Sequence, residues 1–204
     1  MTDSIYILSP SGCQIDFLLD GLRQLLPVPF FDTTDLGELH DGSSEPGMHD
    51  VVYDSKQTRL DFSLLAYQLA PQPMCGRSKF LHIYSQDAVQ LLLNRIGAKA
   101  TELQEDQLTQ ELKNITLDTA QARQFVADHD GFEITFEQLV RGDLSLSQLA
   151  IHQIGGYLNV DCSTIKPNTS SLQPCEEHQR IRRQMRPMLL RNGFESLIET
   201  PRAA

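Results

Sequence analysis

The opening of the chain constrains the fold most: an apolar run, a small-residue turn and an amphipathic run follow one another without a break. Ile5-Tyr6-Ile7-Leu8 leads into Ser9-Pro10-Ser11-Gly12-Cys13-Gln14, and Ile15-Asp16-Phe17-Leu18-Leu19-Asp20-Gly21-Leu22 continues at helical spacing. A strand that delivers a glycine-bearing turn to a helix N-terminus gathers free backbone N–H groups and the positive end of the helix dipole at one place, which suits an anion. The turn has one glycine and neither Lys nor Arg, so it matches neither G-x-x-x-x-G-K-S/T nor G-x-G-x-x-G. An anion site and an ordinary strand–turn–helix entry into an α/β sheet both remain open.

The rest of the chain alternates in the same way. Pro27-Val28-Pro29 stops the first helix near Leu26, and Asp32 to Asp50, with five Asp/Glu between Asp32 and Glu45, reads as a long loop. Val51-Val52-Tyr53 is a short strand candidate, Leu60, Leu64, Leu65 and Leu69 sit at helical spacing, and Lys79–Tyr84 is the second strong strand. Ser85 can cap the helix that buries Val89, Leu92, Leu93 and Ile96, and Gly97 marks its stop. Two polar helices are expected over Gln104–Lys113 and Asp118–Asp130, with Asp118 as an N-cap, then a strand over Phe132–Thr135. Leu144–Leu158 reads as helical apart from Gly155-Gly156, Asn159–Gln173 as a polar crossing, and Glu176–Leu190 as an Arg-rich helix that Pro187 should kink or end. The pattern predicts one α/β domain over residues 1–204, with a central, mainly parallel sheet flanked by helices. Ile5–Leu8 and Phe80–Tyr84 are adjacent core strands whose carboxyl ends open onto one crevice.

Composition narrows the function. At 204 residues and 40% apolar content the chain can build one well-cored domain. No apolar run reaches the roughly 20 residues of a membrane helix, so no integral membrane segment is expected. Nor is a signal peptide visible. Cys13, Cys75, Cys162 and Cys175 are scattered without C-x-x-C spacing, which favours a reducing, cytoplasmic setting. A net charge of −10 argues against nucleic-acid binding through phosphate neutralisation. Residues 1–75 hold eleven Asp/Glu against three Lys/Arg, whereas residues 176–204 hold four Glu against six Arg. Arg180, Arg182, Arg183, Arg186 and Arg191 are bunched, as a discrete anion site, an ion-pair network or a solvated helix face would have them.

Three segments, in order, resemble the PAPS-dependent sulfotransferases, especially bacterial enzymes acting on glycolipid and lipopolysaccharide. Ile7-Leu8-Ser9-Pro10-Ser11-Gly12-Cys13-Gln14-Ile15 is similar to the family's strand and 5′-phosphosulfate loop, and Phe80 to Gln90 to its 3′-phosphate strand, turn and helix. Glu133-Ile134-Thr135-Phe136-Glu137-Gln138-Leu139-Val140 looks like its strand-then-Tyr-Glu-x-Leu element. The resemblance covers most of the chain through order and spacing. It implies a P-loop NTPase-like, sulfotransferase-type fold and PAPS as cofactor, with sulfuryl transfer to a hydroxyl of a carbohydrate or lipid. It places the nucleotide on Ser11, Gly12, Cys13 and Gln14, and puts Ser85 and Asn94 where an arginine and a serine hold the 3′-phosphate. It makes Asp32 the nearest carboxylate to the place of the catalytic base.

The departures fall on the chemistry: Pro10 stands where a basic residue precedes Ser-Gly, and two hydroxyl residues are replaced by Cys13 and Gln14. Each lost basic phosphate ligand removes a charge-assisted bond of about 1.5–3 kcal/mol. Arg182, Arg183 or Arg191 could compensate from the C-terminal segment. The alternative function is a non-catalytic sulfotransferase-fold binding or partner protein that has lost PAPS-binding residues. The oligomeric state is not legible.

Other polar residues have local readings. His82, mid-strand among apolar neighbours, reads as a hydrogen-bonded core histidine rather than a catalytic one. His40 and His49, with Asp41, Glu45 and Asp50, are either a divalent-metal set or a solvated loop. Cys13 at a helix N-terminus is a candidate for a lowered thiol pKa.

Overall fold

β1 (Ile5–Pro10) is buried along its whole length, and it forms the middle of a five-stranded sheet. The computed structural model describes residues 4–26, 30–32, 47–53, 78–165 and 175–194. Around β1 stand β2 (Phe30–Asp32), β3 (Met48–Tyr53), β4 (Lys79–Tyr84) and β5 (Phe132–Thr135), in the order β2-β3-β1-β4-β5. Every pairing is parallel. The expected adjacency of Ile5–Leu8 with Phe80–Tyr84 is observed, Leu8 standing level with His82. The loop reading of Asp32–Asp50 needs correction at its ends, since Asp32 closes β2 and Met48–Asp50 open β3. Its interior and the helix expected around Leu60–Leu69 lie outside the described residues.

Parallel strands need both faces covered. Ile5, Ile7, Leu81, Ile83 and Ile134 join one cluster with α1 (Asp16–Leu25) and α2 (Ala88–Ile96). Tyr6, Leu8, Val51, Tyr53 and Phe80 join a second with Ala122, Phe125 and Val126 of α3 (Glu105–Asp128). The sequence suggested two helices where α3 is one, of 24 residues. Leu108, Leu112 and Ile115 belong to the first cluster and Ala122, Phe125 and Val126 to the second, so the apolar stripe lapses where the helix passes between them. Across that gap Thr116 and Thr119 hydroxyls donate to the carbonyls of Leu112 and Ile115, and Asp118 sits mid-helix rather than at an N-cap.

The remaining helices are α4 (Phe136–Leu139), α5 (Gln148–Leu158) and α6 (Glu176–Arg191). Thr135 caps α4 and Ser147 caps α5. Gly155 does not interrupt α5; a Cβ there would stand 2.6 Å from the Val160 carbonyl oxygen, so the glycine lets the returning chain pack against the helix. α6 likewise runs through Pro187, because Met185, Met188 and Leu189 are buried on either side of it. Among the described residues no helix is long and apolar enough to cross a membrane.

Candidate functional site

The chain leaves β1 toward β2 on one side and later places β4 on the other, so strand order reverses between β1 and β4. In an open parallel sheet the crevice at the carboxyl ends of such strands is the expected ligand site. A crevice of about 180 Å³ lies there, and Gly12, Cys13, Gln14, Ser85 and Asn94 all line it. These five of the nine site residues expected from the sequence meet at one crevice; Ser11, Arg183 and Arg191 are not among its walls. Gln90, Phe136, Leu144, Cys175 and His178 add walls that sequence reasoning did not single out as site residues.

The β1–α1 turn is built from uncharged contacts. Gly12 has φ +88°, and a Cβ would meet the Leu91 carbonyl oxygen at 2.6 Å. The close approach of α2 therefore requires glycine at this left-handed position. The Ser11 N–H donates to the Tyr53 carbonyl (3.1 Å), the Cys13 N–H to the Pro10 carbonyl (3.0 Å), and the Asn94 amide to the Gly12 carbonyl (2.9 Å). Asn94 accepts from Gln90 (2.7 Å), which lies 3.3 Å from His178 Nδ1, so α6, α2 and the turn are joined by one polar row. Cys13 is no reactive thiolate: burial, with a smaller contribution from Glu137, pushes its thiol far above the ordinary range. Desolvation outweighs the helix N-terminus here.

The β4–α2 turn is closed by carboxylates. Ser85 donates its hydroxyl to Glu137 Oε1 at 2.5 Å, and the Gln86 N–H meets both Glu137 oxygens at 3.2 Å. Asp87, rather than Ser85, caps α2, accepting from the Gln90 N–H at 2.9 Å. Its other oxygen accepts from Arg182 at 2.5 Å. Ser85 contributes indirectly, its oxygen accepting from the Asp87 N–H at 3.0 Å.

Of the arginine cluster, then, Arg182 reaches the crevice edge and is held by Asp87. Arg183 is exposed and makes no ion pair among the described residues. Arg191 pairs with Glu105 at the start of α3 (2.5 Å). No Lys or Arg lines the crevice among the described residues. Asp32 stands level with Asp50, which stands level with Ile7. Its backbone is two strands from β1, about 10 Å sideways, and three residues, again about 10 Å, below the strand end. The register therefore does not bring Asp32 to the crevice.

A second polar cluster lies beneath α3. His82 is wholly buried, with Nδ1 3.3 Å from Glu133 Oε1 and Nε2 2.6 Å from the Tyr53 hydroxyl. A carboxylate can only accept, so Nδ1 carries the proton and Tyr53 donates to Nε2. Arg123 lies 3.4 Å from Glu133 and over the Tyr84 ring. Burial lowers the His82 pKa to about 4, against the opposing pull of Glu133. The core reading of His82 holds. His49 is also buried, stacked on Tyr6 at 4.6 Å, while His40, Asp41 and Glu45 lie outside the described residues. No group of His, Cys, Asp and Glu able to hold a metal occurs among the described residues.

The signal that could have found Glu137 was present: a carboxylate two residues past a strand end lands beside the neighbouring strand's turn. Nothing in the local sequence marks Cys175 or His178. No family model, no curated protein and no solved structure matches the chain.

Proposed function

We propose that the chain is a sulfotransferase-like protein with a P-loop-like α/β architecture, whose crevice binds a ligand without transferring a sulfuryl group. The three segments that resemble the family fall on β1 with its turn, β4 with its turn, and β5 with α4, and residues of all three line one crevice. That supports the family reading of the scaffold. The observation that carries the non-catalytic reading is the seat of Glu137. Its carboxylate lies on the Ser85 hydroxyl and the Gln86 N–H, where the resemblance puts the 3′-phosphate. A phosphate there would have to displace a carboxylate that already holds those donors. Arg182, the cluster arginine that reaches the α2 cap, is engaged by Asp87.

Catalysis would further need a base within hydrogen-bond reach of the acceptor hydroxyl. The backbone of Asp32, the carboxylate residue that the resemblance puts nearest the place of the base, lies two strands from β1. No carbohydrate or lipid acceptor belongs to this reading, and PAPS is not its cofactor.

Titration with 3′,5′-adenosine bisphosphate by calorimetry tests it without knowledge of an acceptor. The expected result is no saturable heat up to millimolar nucleotide. Micromolar binding that disappears in Arg182→Ala or Arg183→Ala would overturn the reading in favour of a working sulfotransferase.

A further inference from the structure

The crevice has a chemistry of its own. Its polar lining consists of the Gln14, Gln90 and Asn94 amides, the Ser85 hydroxyl, Cys13 and Cys175, and the His178 ring. Leu91, Phe136 and Leu144 supply an apolar wall. The charges next to it are the carboxylates of Glu137 and Asp87 and the guanidinium of Arg182, and the last two neutralise each other. Glu137 holds the donors of the β4–α2 turn beside the crevice, on a protein of net −10. An anion entering the crevice would meet the Glu137 carboxylate and, among the described residues, no lining cation; an uncharged ligand would meet amides that donate and accept, together with the Phe136 ring. About 180 Å³ accommodates roughly six waters at ~30 Å³ each, enough for a single ring.

We propose that the crevice takes an uncharged, hydrogen-bonding ring, and that Glu137 sets this selectivity by holding the oxyanion-binding donors itself. The inference rests on the non-catalytic reading above and names the ligand class of that site. Glu137 is then a specificity residue. Removing it should free the Ser85 hydroxyl and the Gln86 N–H and lift the repulsion together, turning a crevice that refuses anions into one that accepts them.

The test uses the full chain, isotopically labelled, with backbone amide shifts read during titration. The probes are methyl glucoside and cytosine as neutral rings, sodium sulfate as the anion at matched ionic strength, and 3′,5′-adenosine bisphosphate. In the wild type, one of the neutral rings should give saturable shifts at the Gly12, Gln90 and Asn94 amides, and sulfate none. In E137A, sulfate should give saturable shifts at Gln86, with affinity raised by about tenfold or more over the wild type. Should E137A fail to fold, E137S, whose short side chain also withdraws from both donors, reads the same gain.

Saturable sulfate shifts at Gln86 in the wild type would overturn the inference, as would sulfate affinity unchanged by the substitution. Silence toward both neutral rings at tens of millimolar, with no bisphosphate binding, overturns it while leaving the non-catalytic reading in place. Micromolar bisphosphate binding by the wild type overturns both.

Discussion

Glu133 and Glu137 stand four residues apart, one in β5 and one in α4, and they meet opposite fates. Glu133 faces a histidine that the sheet and α3 seal from water, and its attraction is not enough to keep that histidine protonated at neutral pH. Glu137 faces a hydroxyl and a backbone N–H in a turn at the open end of the sheet, and holds both as a formal anion would. The difference lies in solvent. Where a charged partner must be stripped of water, desolvation decides the outcome; where the partners are a hydroxyl and an N–H dipole at an open edge, the half-buried carboxylate stays on them.

The largest expected effect comes from the sealed side. His82 titrates near 4 in the folded chain against 6.5 for the unfolded reference, so between these values the unfolded chain binds more protons. Its contribution is complete above about pH 6.5 and is lost as pH falls, amounting to about 3 kcal/mol by pH 4. Urea unfolding at pH 7, 5.5 and 4.5 should show this slope, and His82→Gln should flatten it by that amount. An identical slope in the variant would break the contrast, because His82 would then not be the sealed group.

On the open side, Gly12→Ala should cost about 2–3 kcal/mol, combining left-handed strain with a Cβ driven into the Leu91 carbonyl. Chemical denaturation reads it directly, and a cost below about 0.5 kcal/mol would mean the turn and α2 can part freely. Asp87→Ala should come next, at about 2 kcal/mol, since it removes both the α2 cap and the Asp87–Arg182 ion pair. Asp87→Asn keeps the cap, so a double-mutant cycle of Asp87→Asn with Arg182→Ala isolates the ion pair. Glu137→Gln should have the smallest effect, under about 1 kcal/mol, because its amide oxygen still accepts from Ser85 and Gln86. A loss of about 2 kcal/mol or more would show that the charge itself holds the turn, and that the open side is less wet than Glu137's position suggests.

Local pattern made much of the scaffold legible. The apolar runs at Ile5–Leu8 and Lys79–Tyr84 could only be strands of a covered sheet, and the alternation of elements implied their parallel pairing. The crevice followed from the turns they deliver. What escaped was decided by contacts between distant segments. The continuity of α3 depends on two clusters that happen to lie under one helix. The caps at Ser85 and Asp87 were exchanged because Ser85 is committed to Glu137, a partner 52 residues away. The arginine cluster could have been an anion site, an ion-pair network or a solvated face, and its members divide: Arg182 pairs with Asp87, Arg191 with Glu105, and Arg183 is exposed. Spacing along a helix tells which side a residue shares, and says nothing of which carboxylate lies opposite.

The strand order has a further consequence, for the history of each molecule as it is made. β1 precedes the other described strands and is the central one in the sheet; Ile5 pairs with Met48, 43 residues downstream, and with Lys79, 74 residues downstream. During synthesis β1 therefore emerges well before either of the strands that flank it. Late, long-range parallel pairing of this kind is slow and leaves apolar segments open to aggregation while it waits. The centre of this sheet is made before the strands on both its sides and is enclosed only once they arrive.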